Sequence, residues 1–253
     1  MTKVVLVTGA AGGMGSAVTK EFFEHGWRVV ATDLRPPSEG PAAVEGYRFI
    51  RADLSSAEEI DAVVQTVETQ ENSLDCLVNV AGTQIRKPFE LLTNEDARYS
   101  MSVNVEAPLW LSQAFAPLLR KNLGAIVNIS SIHSLMTSSG MTVYAATKAA
   151  LNSLTRSLAL ELAPEVRVNC VSPGAIGTEM LYDSIRTMSD GDDEDWPARG
   201  LDSLAAKHPL NRVGEPVEVA RMAYVLADPY WSSFMTGAIV FVDGGAHAHL
   251  STE

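Results

Sequence analysis

The stretch Val143-Tyr144-Ala145-Ala146-Thr147-Lys148 sets a phenol and an ammonium four positions apart, just ahead of the apolar run Ala149-Ala150-Leu151. On a helix that spacing puts Tyr144 and Lys148 one turn apart on a common face. A free phenol titrates near pH ~10, too high to exchange protons at neutrality. A cation held beside it favours phenolate and lowers that value, which makes the pair a candidate general acid/base. Tyr-x-x-x-Lys alone reads equally as two residues sharing a helix face. The surrounding elements decide between the two readings.

Residues 3–8 form a short β-branched run that leads directly into Thr8-Gly9-Ala10-Ala11-Gly12-Gly13-Met14-Gly15, and an amphipathic pattern with Val18, Phe22 and Phe23 covers 16–25. Strand, glycine turn and helix in that order predict a dinucleotide site. Gly9, Gly13 and Gly15 permit a tight turn and close approach to a pyrophosphate, and the helix start offers free N–H groups. A second strand over 28–32 ends at Asp33. A carboxylate there, about 20 residues past the glycines, can accept hydrogen bonds from both hydroxyls of an adenosine ribose. Residues 34–46, with Pro36, Pro37 and Pro41, read as a loop.

Further strands are predicted over 47–52, 74–78, 124–130, 166–171 and 238–242. A helix capped by Ser55 or Ser56 buries Ile60, Val63, Val64 and Val67; a long helix covers 94–121, with Pro108 and Pro117 as possible bends. Two more span 143–162 and 216–226, whereas 175–211 reads as polar and loop-like around the acidic run 190–195. This alternation predicts an α/β fold: a single doubly wound (Rossmann) domain over 1–253 with a mostly or wholly parallel seven-stranded sheet. Ligands in such sheets bind beyond the carboxyl ends of the strands, where the glycine turn, Asp33, Asp53, Asn79, Ser131 and Pro173 all fall.

With 46% hydrophobic and 20% charged residues in 253, the chain has an ordinary globular composition. No apolar run approaches the ~20 residues that span a bilayer, and the early glycines argue against a secretory leader. Cys76 and Cys170 each lie in a strand-like apolar run and read as reduced core residues, which suits a cytoplasmic protein. A net charge of −12 argues against nucleic acid and anionic membrane as partners.

Thr8-Gly9-x-x-x-Gly13-x-Gly15, Asn79-x-Ala81-Gly82, Asn104, Ser131, Tyr144-x-x-x-Lys148 and Pro173-Gly174, in this order, resemble the short-chain dehydrogenase/reductase family over nearly the whole chain. The resemblance implies an oxidoreductase that moves a hydride between NAD and a secondary alcohol or ketone. Tyr144 would be the acid/base on the substrate oxygen, Ser131 would hydrogen-bond the same oxygen, and Ser130 is its rival. Lys148 would lower the Tyr144 pKa and hold the nicotinamide ribose, while Asn104 would hold a water linking Lys148 to solvent. Cofactor contacts would come from Gly9, Gly13, Met14, Gly15, Asp33, Asp53, Leu54, Asn79, Ala81, Gly82, Pro173, Gly174, Ile176 and Thr178, with Tyr144 and Lys148. No metal is expected.

The substrate is less legible. Gln84 and His133 match positions that bind carboxylate in 3-hydroxybutyrate dehydrogenases, but Met141 stands where those enzymes have a lysine. Gly140-Met141-Thr142-Val143-Tyr144 is similar to dihydrodiol dehydrogenases, which favours a cyclic alcohol or diol over a short hydroxy acid. Arg86 could serve a substrate carboxylate; otherwise it and Lys87 are surface charges. A non-catalytic NAD-binding sensor or scaffold is the reading from a different class, and such proteins usually lose the Tyr, Lys or Ser kept here. Residues 179–208 would form a substrate lid. The apolar excess on 94–121 and 143–163, including Trp110, Phe115, Leu154 and Leu158, together with the resemblance, implies a homotetramer.

Overall fold

Apolar β-branched runs become strands here, and those at the centre are buried on both faces. The computed structural model describes residues 2–36, 44–187 and 196–248. Its strands are Val4–Thr8 (β1), Arg28–Asp33 (β2), Tyr47–Arg51 (β3), Cys76–Asn79 (β4), Ala125–Ile129 (β5), Arg167–Pro173 (β6) and Ile239–Val242 (β7). They form one sheet in the order β3-β2-β1-β4-β5-β6-β7, and every pairing is parallel. The sheet is therefore wholly parallel, and β1 and β4 flank the point where the strand order reverses.

One face carries helices Gly13–Glu24 (α1) and Pro216–Ala227 (α8), which pack Val18, Phe22, Ala223 and Leu226 against the sheet. The other carries Ala57–Gln70 (α2), Ala107–Lys121 (α4) and Thr142–Leu162 (α5), through Ile60, Val63, Leu111, Phe115 and Ala159. The Ser56 side chain caps α2 by accepting the Glu59 N–H, one of the two expected caps. Phe115 is fully buried and is not part of any outward apolar surface, whereas Trp110 is 46% exposed.

Two expectations are corrected. The long helix over 94–121 is in fact Asn94–Met101 (α3), a π-helical segment Ser102–Glu106, and α4. Pro108 has no N–H for the Asn104 carbonyl, and the Ala107 N–H bonds back five residues to the Ser102 carbonyl. The polar segment 175–211 contains two helices, Glu179–Arg186 (α6) and Trp196–Ala205 (α7). Polar composition hid an amphipathic pattern in α6, which Thr178 caps through the Leu181 N–H and which buries Ile185. The acidic run lies outside the described residues, as do residues 37–43 of the loop read over 34–46. No described helix is long and apolar enough to cross a membrane.

Candidate active site and dinucleotide cleft

At the carboxyl end of β1 the chain turns through Gly9, whose φ of +64° few side chains tolerate. Gly15 opens the way for the same turn: a Cβ there would sit 1.9 Å from the Gly9 carbonyl oxygen. The α1 N-cap is Gly12, with no side chain over the first amides. A cleft of about 600 Å³ lies above, lined by Gly9, Gly13, Met14, Gly15, Asp33, Ala81, Gly82 and Thr178. The Asp33 carboxylate accepts the Ala11 N–H at 2.9 Å and the Arg35 N–H at 3.3 Å, which fixes it beside the turn. The cradle of bare backbone and helix-start amides fits a dinucleotide pyrophosphate, and Asp33 fits a ribose diol.

Asp53, Leu54 and Asn79 are among the residues named from the resemblance that lie off this cleft's described lining. Asp53 accepts the Ser55 N–H at 2.8 Å and the Ser55 hydroxyl at 2.7 Å, closing the turn before α2. Leu54 is a core side chain. Asn79 is buried and donates to Asn128 Oδ1 at 2.8 Å, while Asn128 donates to Thr155 of α5 at 2.9 Å. Sequence reasoning missed this link between β4, β5 and α5, because a polar residue inside a strand carries no periodic signal. It also missed Thr8, whose hydroxyl accepts the Val80 and Ala81 N–H groups at 3.1 Å and holds the β4 exit onto β1.

A second cavity of about 580 Å³ adjoins the first and is lined by Ser131, Tyr144, Gln84, Arg86 and His133, with Pro173, Gly174, Ile176 and Thr178 along another wall. Met14, Gln84, Arg86 and Thr178 line both spaces. Tyr144 is 7% exposed, and its ring stands edge-on to His133 with centroids 5.7 Å apart. Ser131 is within hydrogen-bonding reach of the Tyr144 phenol. Ser130, the rival, donates to the Lys148 carbonyl at 3.0 Å and so anchors α5. Gln84 donates to Ser184 of α6 at 3.0 Å, tying the wall to that helix.

Burial works against the expected activation of Tyr144. Burial pushes its pKa up from the usual phenol value, and contact with Ser131 only partly offsets this. Lys148 Nζ is 5.8 Å from the Tyr144 ring centroid and donates to the Ile129 carbonyl at 2.9 Å. Burial drives the Lys148 pKa down to about 8, and the Cys170 thiol nearby, pushed up to about 12, supplies no negative charge at neutrality. Lys148 lies directly behind Gly82: a Cβ there would be 3.3 Å from both Lys148 Nζ and Asn104 Oδ1. The Asn104 amide is already committed. Its oxygen accepts the Thr83 N–H at 2.8 Å, and its nitrogen donates to the Thr83 carbonyl at 2.9 Å and to Thr147 at 3.0 Å. The side chain therefore has no free donor for a water, which leaves its oxygen's second lone pair and the main-chain carbonyl that Pro108 cannot serve.

A stability prediction follows. A lysine whose pKa falls on folding disfavours the folded state below pH 8, and the penalty is relieved as pH rises toward 10. Its size at pH 7 is on the order of 3 kcal/mol. Lys148→Met is expected to be more stable than wild type at pH 7, by about 1–3 kcal/mol in urea unfolding, with the difference shrinking by pH 10. A variant less stable at pH 7 would contradict this.

Comparison with known proteins bears on the whole arrangement. A family model described as enoyl-(acyl carrier protein) reductase matches residues 9–247. L-Fucose dehydrogenase of Oryctolagus cuniculus is 36% identical over 250 residues, covering 96% of this chain and 84% of that protein. The ligand-free aldohexose dehydrogenase of Thermoplasma acidophilum superposes with a TM-score of 0.92 at 29% identity, over 99% of this chain and 96% of that one. ElxO with NADP bound gives 0.86 at 28% identity, over 98% and 100%. Wholly parallel sheet, glycine turn and matched length together define a Rossmann-type oxidoreductase. The chain belongs to the short-chain dehydrogenase/reductase family.

Proposed function

We propose that this protein is an NAD-linked dehydrogenase that oxidises the secondary hydroxyl of a cyclic alcohol. The observation that carries the reading is Tyr144 and Ser131 together on the wall of a cavity that opens onto the glycine-turn cleft. Bound in that cleft, the dinucleotide supplies the hydride acceptor. Gly9, Gly13 and Gly15 bring backbone against its pyrophosphate, and Asp33 accepts from its ribose hydroxyls. Ala81, Gly82 and Thr178 hold the middle of the molecule. Tyr144 takes the substrate hydroxyl proton, Ser131 orients that oxygen, and Lys148 behind Gly82 stabilises charge on the phenolate.

The cavity walls, with Met136, Met141, Leu181 and Ile185, are apolar enough to hold a ring, and a few polar groups aim it. The names of the rabbit and archaeal relatives point to sugars, which close into rings bearing a secondary hydroxyl. The assembly we propose is a homotetramer, supported by exposed Trp110 on α4 and Leu160 on α5. Helices α6 and α7, whose Met180, Ser184 and Leu204 line the cavity, are the parts of the proposed 179–208 lid that cover the substrate.

Coenzyme choice supplies the test. The 2′-phosphate of NADP would face Asp33, and like charges about 4 Å apart near a protein surface repel by about 4 kcal/mol before screening. Arg35 also lines the cleft, but its backbone is bound to Asp33, whose carboxylate holds the position a phosphate would need. ElxO binds NADP, so the family alone does not decide. Wild type is expected to prefer NAD over NADP in kcat/KM on the order of 100-fold. Asp33→Ala should erase most of that preference. A wild-type preference for NADP, measured over a panel of cyclic alcohols and sugars, would overturn the assignment.

A further inference from the structure

The chain is strongly acidic, with 31 Asp and Glu against 19 Lys and Arg. Its apolar-walled cavity beside Tyr144 has the opposite character: among the described residues that line it there is no Asp or Glu, while Arg86 and Lys207 both line it. The two neighbouring cations of this segment behave differently. Lys87 is paired, with Nζ 2.7 Å from both oxygens of Asp96. Arg86 is partly buried and has no ion-pair partner among the described residues; loss of water alone moves its pKa, downward. Its stem lies over Gly140, at the end of the loop that leads into α5 and Tyr144.

A guanidinium that gives up water without gaining an anion is an unfavourable arrangement that a ligand can complete. The histidines of the cavity do not serve instead. His208 accepts the Ala175 N–H on Nε2 at 3.2 Å, and its Nδ1 is 2.7 Å from the Leu204 carbonyl, so both ring nitrogens are engaged. Burial, and then the charge of Arg86 beside it, push the His133 pKa down. Its ring lies between the two functions of the cavity, near Arg86 on one side and 5.7 Å from the Tyr144 ring on the other.

We propose that the substrate of this site carries a carboxylate, bound by the Arg86 guanidinium, in addition to the hydroxyl that faces Tyr144 and Ser131. The proposal rests on the dehydrogenase reading and narrows its substrate to cyclic hydroxy acids. The planar fork of Arg86 matches a carboxylate through two parallel N–H···O bonds. A single guanidinium among apolar walls suits a monoanion better than a phosphate dianion. Arg86 also lines the dinucleotide cleft, so a phosphate of the dinucleotide is the rival anion.

Binding of simple ring probes separates these cases without any turnover. Benzoate and cyclohexanecarboxylate are titrated calorimetrically into the protein, each against its neutral hydroxymethyl counterpart, benzyl alcohol and cyclohexylmethanol. The wild type is expected to bind each acid at least tenfold more tightly than its neutral partner, with the advantage falling as salt rises. Arg86→Gln should erase the advantage, Arg86→Lys should keep part of it, and both variants should bind NADH within twofold of wild type. Equal affinity for acid and neutral probes in the wild type would overturn the proposal. So would an acid preference that survives Arg86→Gln, or a loss of NADH affinity in that variant with the acid preference intact. Failure of the dehydrogenase reading would look different: no alcohol would reduce NAD and no ketone would oxidise NADH, whatever the probes do.

Discussion

Replacing Tyr144 with phenylalanine is expected to lower kcat by about 10²- to 10⁴-fold, the range that one positioned acid/base contributes. Only a hydroxyl is lost, and the ring that packs edge-on to His133 remains. Dinucleotide affinity should therefore stay within about twofold, because the glycine turn and Asp33 are untouched. Two other groups near the phenol could move a proton. Ser131 is too weak an acid, and His133, whose pKa burial lowers, is a poor donor near neutrality. With the phenolate as the proposed proton acceptor, and with burial raising the Tyr144 pKa, oxidation should quicken as pH rises above neutrality while reduction slows. Steady-state kinetics in both directions provide the measurement. A loss of less than tenfold would transfer the role to His133, which Tyr144→Phe/His133→Gln would then have to abolish.

The second large effect is expected at the glycine turn, and it discriminates between adjacent glycines. A Cβ on Gly15 would lie 1.9 Å from the Gly9 oxygen, 2.6 Å from the Gly9 carbon and 2.9 Å from the Ala10 Cα, all of them backbone atoms. Relief requires opening the turn itself. Gly15→Ala should cost about 3 kcal/mol or more and abolish dinucleotide binding. Gly12 is the control: its Cβ would meet only the Gly9 oxygen, at an ordinary 3.5 Å, and its φ is −74°. Gly12→Ala should be stable to within about 0.5 kcal/mol. Thermal unfolding of the two variants decides the matter, and equal melting temperatures would show that the turn is not the rigid cradle described.

The strands were legible because they are short apolar runs that end at a glycine, an Asp, an Asn or a Ser, and burial on both faces demands that pattern. The Tyr144–Lys148 spacing survived because helix geometry alone sets it. What failed to show was whatever depends on a neighbour distant in sequence. Residues 179–186 and 196–205 are polar enough to pass for loop until Ile185 finds an interior to enter. Asp53 was placed by analogy, and only the fold shows its carboxylate closing the turn onto Ser55. Lys148 is expected to acidify Tyr144, and only the fold shows the opposing loss of solvent around both groups. Arg86 and Lys87 were indistinguishable as letters. Only the fold gives Asp96 to one and the cavity to the other.

The π-helical segment has a consequence for how such a chain can change length. Five residues, Ser102–Glu106, occupy a stretch where a regular helix would need one fewer, and Asn104 sits inside it, clasped to Thr83 and Thr147. Loops absorb an added or missing residue with little effect beyond themselves. A deletion here would restore an ordinary helix with both flanks near their present registers, and it would remove the bulge that turns Asn104 toward its partners. Asn104 would then point away from both partners, and the β4 exit would lose its tie to the helix that carries Tyr144. The length of this segment is therefore set by the contacts that Asn104 makes.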